Sequence, residues 1–396
     1  MSPKLSKCAV LVTVICMDLL AGMEFDLFVP SFPLLQEQFG LTPFWVEALL
    51  SVNFIGYCIS LFLVGGLADR YGRKPIILTG LITFILGSVL CLVPTSYYFL
   101  FVGRFLQGMG VAAPAILSFL IIADAYPIKN QQFLLAMLNG SMNAATAAAP
   151  VIGSYVTLYF RWQGNFMALL LMGLATLILT LLCIPHTKPH HQETLLQQGY
   201  FDIIQNKPLM LLIVNIILMF VPYWIFVGMS PLLYMEDLGV SLSHFGFYQG
   251  ALALVFAIGS VLFGLSMRKF DQKKMLFLSI QIFIFSVISI GLATFFDSRN
   301  PLLLTLAFLP FVIGQIIPTT INFPVCLNYL PQAKGRVSAI IQGSRLIIAA
   351  LFLQVAGYFY EGSFQSIGII LTTFVILVAS TLFIVVKNQE LMKHVP

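Results

Sequence analysis

The chain has 396 residues, of which 59% are apolar and only 9% charged, where an average soluble domain carries about 25% charged residues. So few charges cannot cover a soluble surface, and disorder needs the opposite composition, so both classes are excluded. A spanning helix takes about 20 apolar residues, so this length holds about twelve or thirteen spans and leaves almost nothing for an extramembrane domain.

Apolar runs predict helices at 8–30, 44–67, 75–94, 97–123, 133–160, 163–185, 207–235, 243–266, 274–296, 301–326, 336–360 and 365–387. The first run follows Lys4 and Lys7 and is longer than a signal-peptide core. It also contains acids, so it reads as an uncleaved first span. The long polar connection 186–206 separates six spans from six. The expected organisation is an N-terminal bundle at 1–185, a linker at 186–206 and a C-terminal bundle at 207–396, a pattern of transporters built from repeats. The linker carries His186, His190 and His191 beside Pro189. A solvated loop of this kind has no preorganised ligand geometry, so no metal is expected. The six cysteines show no CxxC or His-paired spacing and read as small core hydrophobes.

Basic residues set the orientation. With a cytoplasmic N-terminus, sixteen of the twenty Lys and Arg fall on the inside. Arg161 and Arg299 fall outside, and Arg104 and Arg345 lie within spans. Both termini are therefore expected in the cytoplasm. The net charge of +5 is accounted for by this topology and requires no nucleic-acid partner.

The first span carries Asp18, Glu24 and Asp26. On a regular helix Asp18 and Asp26 lie about 80° and about 12 Å apart, whereas Glu24 points about 160° away from Asp26. A regular helix cannot aim all three inward. Gly22 could relax this by a local bend, or Glu24 could face water at the outer rim. Asp26 reads either as a cavity acid or as a capping acid near the outer interface. A buried carboxylate suits a proton site that competes with a cationic substrate. In the second span Asn53 and Tyr57 share a face. The loop after it reads GGLADRYGRKP at 65–75. There Gly65 would permit close helix approach and Gly72 a tight reversal, and Asp69 is favoured near a helix N-terminus. In the fourth span Arg104 is followed by Gln107 at i+3. An arginine here either faces a cavity or partner, or snorkels to the outer surface. The fifth span is rich in small residues around Pro150 and Gly153. Arg345, in the eleventh, reads as snorkelling, acid-paired or cavity-facing.

Together these motifs resemble the major facilitator superfamily. Its hallmark loop matches Gly65, Asp69, Arg70, Gly72, Arg73 and Lys74, and a degraded echo lies after the eighth span at Gly264, Arg268, Asp271, Lys273 and Lys274. The resemblance implies a conformational latch in which Asp69 pairs with a terminus of the eleventh helix and a basic partner. The run GRFLQGMGVAA at 103–113 is similar to the family's fourth-helix motif, whose arginine is implicated in proton transfer; Arg104 is the match. The antiporter motif of the fifth helix is met literally only at Pro150 and Gly153, with small residues elsewhere. The stretch DLFVPSFP at 26–33 resembles Bcr/CflA-type drug-resistance transporters, and Asp18, Asp26 and Pro30 fit the acid spacing of related multidrug facilitators. The resemblance implies an all-α membrane protein, twelve transmembrane helices in two six-helix bundles, in a bacterial-type inner membrane. Its expected work is proton-coupled multidrug efflux, with substrate bound between the halves. The site residues would be Asp18, Glu24, Asp26, Asn53, Tyr57, Arg104, Gln107 and Arg345. Expected partners are a small-molecule substrate, protons and the bilayer, in a monomer. No cofactor and no enzymatic activity are expected, since no nucleophile–base pair is evident. An importer of a nutrient, or an exporter of an endogenous product such as a siderophore, fits the same fold.

Overall fold

The computed structural model describes residues 3–93, 96–125, 128–185, 200–266, 270–330 and 334–393. The described residues form α1 (Pro3–Glu24), α2 (Phe32–Phe39), α3 (Pro43–Tyr71), α4 (Arg73–Cys91), α5 (Tyr97–Ala125), α6 (Ile128–Cys183), α7 (Tyr200–Gln205) and α8 (Lys207–Pro231). Next come a π-turn at Leu232–Asp237, then α9 (Leu242–Ser266), α10 (Gln272–Phe295), α11 (Pro301–Tyr329), α12 (Lys334–Tyr358), α13 (Phe364–Lys387) and α14 (Gln389–Lys393). Among the described residues, 11 helices are long and apolar enough to cross a membrane. One of these runs is double. The 56 residues of α6 continue through Arg161, whose φ of 57° and ψ of −168° break the helix, so α6 supplies two crossings and the total is twelve. The chain packs as two compact units: Met1–Glu193 with Ser241–Gly250, and Thr194–Val240 with Ala251–Pro396. The beginning of α9 thus packs with the first unit rather than with the helices after it. The segment read as linker includes the short helix α7, and its three histidines lie outside the described residues.

Element ends reflect local chemistry. Pro43 and Pro301 occupy first-turn positions, where a missing N–H costs nothing. Asn300 accepts from the N–H groups of Leu302 and Leu303 at 3.0 and 3.3 Å, and Asp271 caps α10 through Lys273 and Lys274. A single residue, Gly72, joins α3 to α4 at φ 90° and ψ 159°, a conformation closed to residues with a Cβ.

The first unit is held by glycines against backbone. A Cβ on Gly80 would lie 2.7 Å from the Gly110 carbonyl oxygen, and one on Gly87 2.6 Å from that of Gly103. These pairs seat α4 on α5. Gly108 places its Cα against the Asn53 carbonyl, and Gly56 against that of Phe105, which seats α3 on α5. In lipid, where apolar surface gains little by leaving the solvent, such close approach is what binds helices.

Two glycine expectations need correction. Gly22 does not interrupt α1, which runs through it to Glu24; a Cβ there would meet the Met142 carbonyl at 2.6 Å, so it serves packing against α6. Gly65 makes no close approach to any described residue, since a Cβ there would meet nothing within 4 Å among them. In the second unit, Asn322 Nδ2 donates to Asn215 Oδ1 at 3.3 Å, and Asn215 Nδ2 donates to Thr381 Oγ1 at 2.9 Å. Outside the spans, Tyr360 donates its hydroxyl to Asp237; burial first, then the Asp237 carboxylate, push the phenol up from its ordinary range.

Gly110→Val should lower the yield of folded, monodisperse protein in size-exclusion chromatography by about tenfold, because the branched side chain would have to displace α4 backbone. Gly65→Ala should elute like the wild type.

Candidate functional site

The expected helix over 8–30 ends early. α1 stops at Glu24, and residues 25–28 form a turn before a short 3-10 helix at Val29–Ser31. Pro30 explains the stop. It has no N–H to continue the ladder, and its ring would clash with the carbonyl four residues back, at Asp26. The geometric conflict among the three acids disappears with the helix. Glu24 is its last residue, Asp26 sits in the turn, and Asp18, Glu24 and Asp26 are all buried.

Other elements grip this break. Gly153 of α6 lies against the Leu27 carbonyl, where a Cβ would overlap it. Ser31 Oγ pairs with Thr157 Oγ1 at 2.9 Å, and Asn165 Nδ2 donates to both hydroxyls at 2.8 and 2.7 Å. Trp162 Nε1 donates to Gln38 Oε1 at 2.7 Å. Pro150 lies one turn earlier on α6. Its carbonyl accepts from Ser154 Oγ at 2.8 Å, and Gly246 of α9 packs on it so closely that a Cβ would fall 2.7 Å away. The two literal residues of the fifth-span motif thus hold the turn that bears Asp26 and seat the start of α9.

At the break stands a buried ion pair. Arg104 Nη1 of α5 donates to Glu24 Oε1 at 2.8 Å, with neither side chain exposed. The same nitrogen donates to Gln107 Oε1 at 2.8 Å, and Nε reaches the Leu49 carbonyl at 3.4 Å. The guanidinium lies 3.9 Å over the Phe28 ring. Asn53 Nδ2 donates to Glu24 Oε1 at 2.6 Å and to the Arg104 carbonyl at 2.9 Å. Gln107 Nε2 continues to Ser88 Oγ at 2.8 Å. Four elements thus meet on one charge pair. Glu24 does not face water at the rim, and Arg104 does not snorkel.

The network is incomplete. Glu24 Oε2, Asp26 Oδ1, Asn53 Oδ1 and Arg104 Nη2 are buried without a hydrogen-bond partner. Unfilled acceptors on the buried Glu24 and, two residues on, Asp26 can take a proton or a positively charged group.

Other expected residues fall elsewhere. Asp18 accepts from Ser118 Oγ at 2.8 Å; Ser118 lies 14 residues beyond Arg104 on α5, about 21 Å of helical rise. Tyr57 contacts Phe25, with ring centroids 5.6 Å apart. Arg345 belongs to the second unit and stacks 4.5 Å over Phe220. In the loop 65–75, Lys74 is buried and its Nζ donates to the Leu181 carbonyl at 2.8 Å, capping the end of α6. Arg70 is exposed and lies over the Tyr71 ring, and Arg73 is half-buried. The Asp69 side chain and residues 267–269, with Arg268, lie outside the described residues. In the echo of this loop, Asp271 serves as a helix cap.

Sequence reasoning missed Glu47. This α3 residue is fully buried with neither carboxylate oxygen partnered. Its signal was available, since an ionisable residue within a predicted span is a functional candidate by default. It also missed Ser88, Ser118 and Phe28, which carry no signal before the fold brings them to their partners.

The sequence profile of the Major Facilitator Superfamily matches residues 14–353. The chain belongs to the major facilitator superfamily. Among its relatives, the multidrug resistance protein MdtL of Klebsiella pneumoniae (strain 342) is 25% identical over 271 residues, 68% of this chain and 69% of that protein. MdtL of Escherichia coli O9:H4 (strain HS) is 32% identical over 225 residues, 54% of this chain and 55% of that one. Among solved structures, a bacterial homologue of the human lysosomal transporter Spinster, inward-facing and occupied, superposes with a TM-score of 0.78 at 15% identity. That match covers 100% of this chain and 99% of the other. A D-xylose–proton symporter matches with a TM-score of 0.74 at 16% identity, covering 95% and 97%. These structural likenesses establish the major facilitator fold.

In this superfamily member the Glu24–Arg104 pair should behave as a unit. Arg104→Leu should lower stability by about 3–5 kcal/mol, because it strands a buried charge. The double variant Glu24→Leu with Arg104→Met should recover most of that loss. Thermal unfolding in detergent micelles checks both.

Proposed function

We propose that the protein is a proton-coupled secondary transporter that exports small, lipophilic or cationic compounds by alternating access. The observation that carries this reading is the buried carboxylate–guanidinium network at the break of α1. Removing a charge pair from water is expensive and gains little stability over an apolar core. Intramembrane ionisable groups of this kind mark ion and substrate paths. Asp26 and Glu24 each offer an unfilled acceptor oxygen, so in a state that opens the site each could accept a proton or the cationic part of a substrate, but not both at once. A proton arriving at Asp26 would neutralise the charge that holds a cation and so release it. Arg104, fixed on Glu24, would bias that exchange by its field.

The multidrug resistance relatives support export, and the short DLFVPSFP run supports a place near the Bcr/CflA type. Basic residues gathered on one face support cytoplasmic termini in an inner membrane. The loop at Gly65, Asp69, Arg70, Gly72, Arg73 and Lys74 would act as a conformational latch.

The test is transport in proteoliposomes under an imposed pH gradient of either sign, with cationic, neutral and anionic compounds. Expected is movement of lipophilic cations against the proton flow. Accumulation of a compound in the same direction as protons would replace export with import. Asp26→Asn should abolish proton release driven by addition of the cation; full coupled transport by that variant would remove Asp26 from the mechanism.

A further inference from the structure

Glu47 is the fifth residue of α3. Its depth is marked by its neighbours on the same helix. Two residues earlier, the Trp45 carbonyl accepts from Tyr97 Oη at 2.7 Å. Phe44, Trp45, Tyr97, Tyr98 and Phe101 form a chain of ring contacts with centroids 5.3 to 6.2 Å apart. Trp45 is 48% and Tyr98 76% exposed. Exposed Trp and Tyr at helix starts form the belt that sits at a membrane–water interface. Two residues later, the Leu49 carbonyl accepts from Arg104 Nε. Glu47 therefore stands between the aromatic belt and the Arg104 network, about 3 Å of helical rise from each of these two residues.

Its helix face leads to the break in α1. At 100° per residue, Glu47 shares its face with Ser51, Phe54 and Cys58, all of them buried. The Phe54 ring packs edge-on against Phe25 at 5.2 Å, and Phe25 is the residue between Glu24 and Asp26. The charged or titratable groups near this end of the elements packed on α3 are Tyr97, Tyr98 and Arg104 on α5, Cys91 on α4 and Glu37 on α2. Glu24 and Asp26 stand at the α1 break. Arg73 and Lys74 occupy the opposite end of α4. No hydrogen bond from any of them reaches a Glu47 oxygen, and Arg104 is committed to Glu24 and Gln107. Among the described residues an ionised Glu47 would thus have neither donor nor counter-charge, the costliest state for a carboxylate.

We propose that Glu47 is the outer proton-loading carboxylate of this transporter. It holds a proton in the state described. In the state that opens the belt side to water, it exchanges that proton with the outside. Passing the proton inward to Asp26 or Glu24 leaves a carboxylate that reloads from outer water, so one proton enters for each one passed on. This inference rests on the proton-coupled reading of the α1 break and adds a station to it.

Two measurements on the full-length protein test it. Infrared difference spectra in lipid nanodiscs should show a neutral-acid carbonyl band that is lost in Glu47→Gln and shifted in Glu47→Asp. In proteoliposomes, efflux of tetraphenylphosphonium driven by an outer acid pulse should fall about tenfold or more in Glu47→Gln. Glu47→Asp should recover it with an altered outer-pH profile, and binding of tetraphenylphosphonium should be unchanged in both. The proposal is overturned if the band persists in Glu47→Gln, or if that variant transports with the wild-type outer-pH profile. Loss of tetraphenylphosphonium binding in Glu47→Gln, or a folded Glu47→Asp that fails like Glu47→Gln, would equally overturn it. If the wild type does not move tetraphenylphosphonium at all, the export reading is what fails, and the infrared band still decides whether Glu47 is protonated.

Discussion

Arg104 carries a full positive charge where no water reaches it, and the first unit is arranged around that fact. Its guanidinium is answered by one carboxylate, one amide oxygen, one backbone carbonyl and the face of one aromatic ring. Each partner comes from a position that had to be secured by something else. Glu24 is available because α1 ends there. Asn53, which braces both members of the pair, is brought in by a glycine on α5 that admits its backbone. Gln107 is oriented by Ser88 of α4. If the charge pair moved, helices α1, α3, α4 and α5 would all have to move with it.

The break in α1 is the second element of that arrangement. A continuous helix through 8–30 would have sent Glu24 and Asp26 to opposite sides. Ending it at Glu24 places both acids in the interior, with the turn held by Gly153 of α6 and the short helices after it by Thr157, Asn165 and Trp162. The small residues of the fifth span therefore do more than let two helices approach. They receive an irregular backbone segment, tolerated at membrane depth only where protein buries it. Irregular backbone, unfilled acceptors and a fixed cation are thereby gathered at one place in the first unit.

Much of the site is legible in the chain for a simple reason. In a protein so poor in charge, each intramembrane ionisable group is conspicuous, and Asp18, Glu24, Asp26 and Arg104 stand out by type and depth. Their pairing is not legible. Helical angles on an unbroken helix separate Glu24 from Asp26, and they leave Glu24 without a role although it is the direct partner of Arg104. Pro30 carries the necessary signal, since a proline four residues on forbids the helix at Asp26. Glu47 is also readable as an acid within a span, yet its lack of partners is a property of what surrounds it. Gly22 and Gly65 show the converse: both look like packing or bending devices, and only the neighbouring backbone decides which glycine is used.

The sequence by itself determined the number of spans, the family motifs and that only a few ionisable side chains lie within the spans. Those properties depend on composition, period and short-range spacing, which a linear chain contains. Tertiary structure alone decided that α6 clamps the segment that Pro30 frees from the helix, that Glu24 rather than Asp26 holds Arg104, and that Glu47 stands buried without a hydrogen-bond partner among the described residues. These outcomes depend on contacts between residues 29 to 134 positions apart in the chain, such as Asn53 with Glu24 and Asn165 with Ser31. No local pattern encodes the fit of one helix backbone against another.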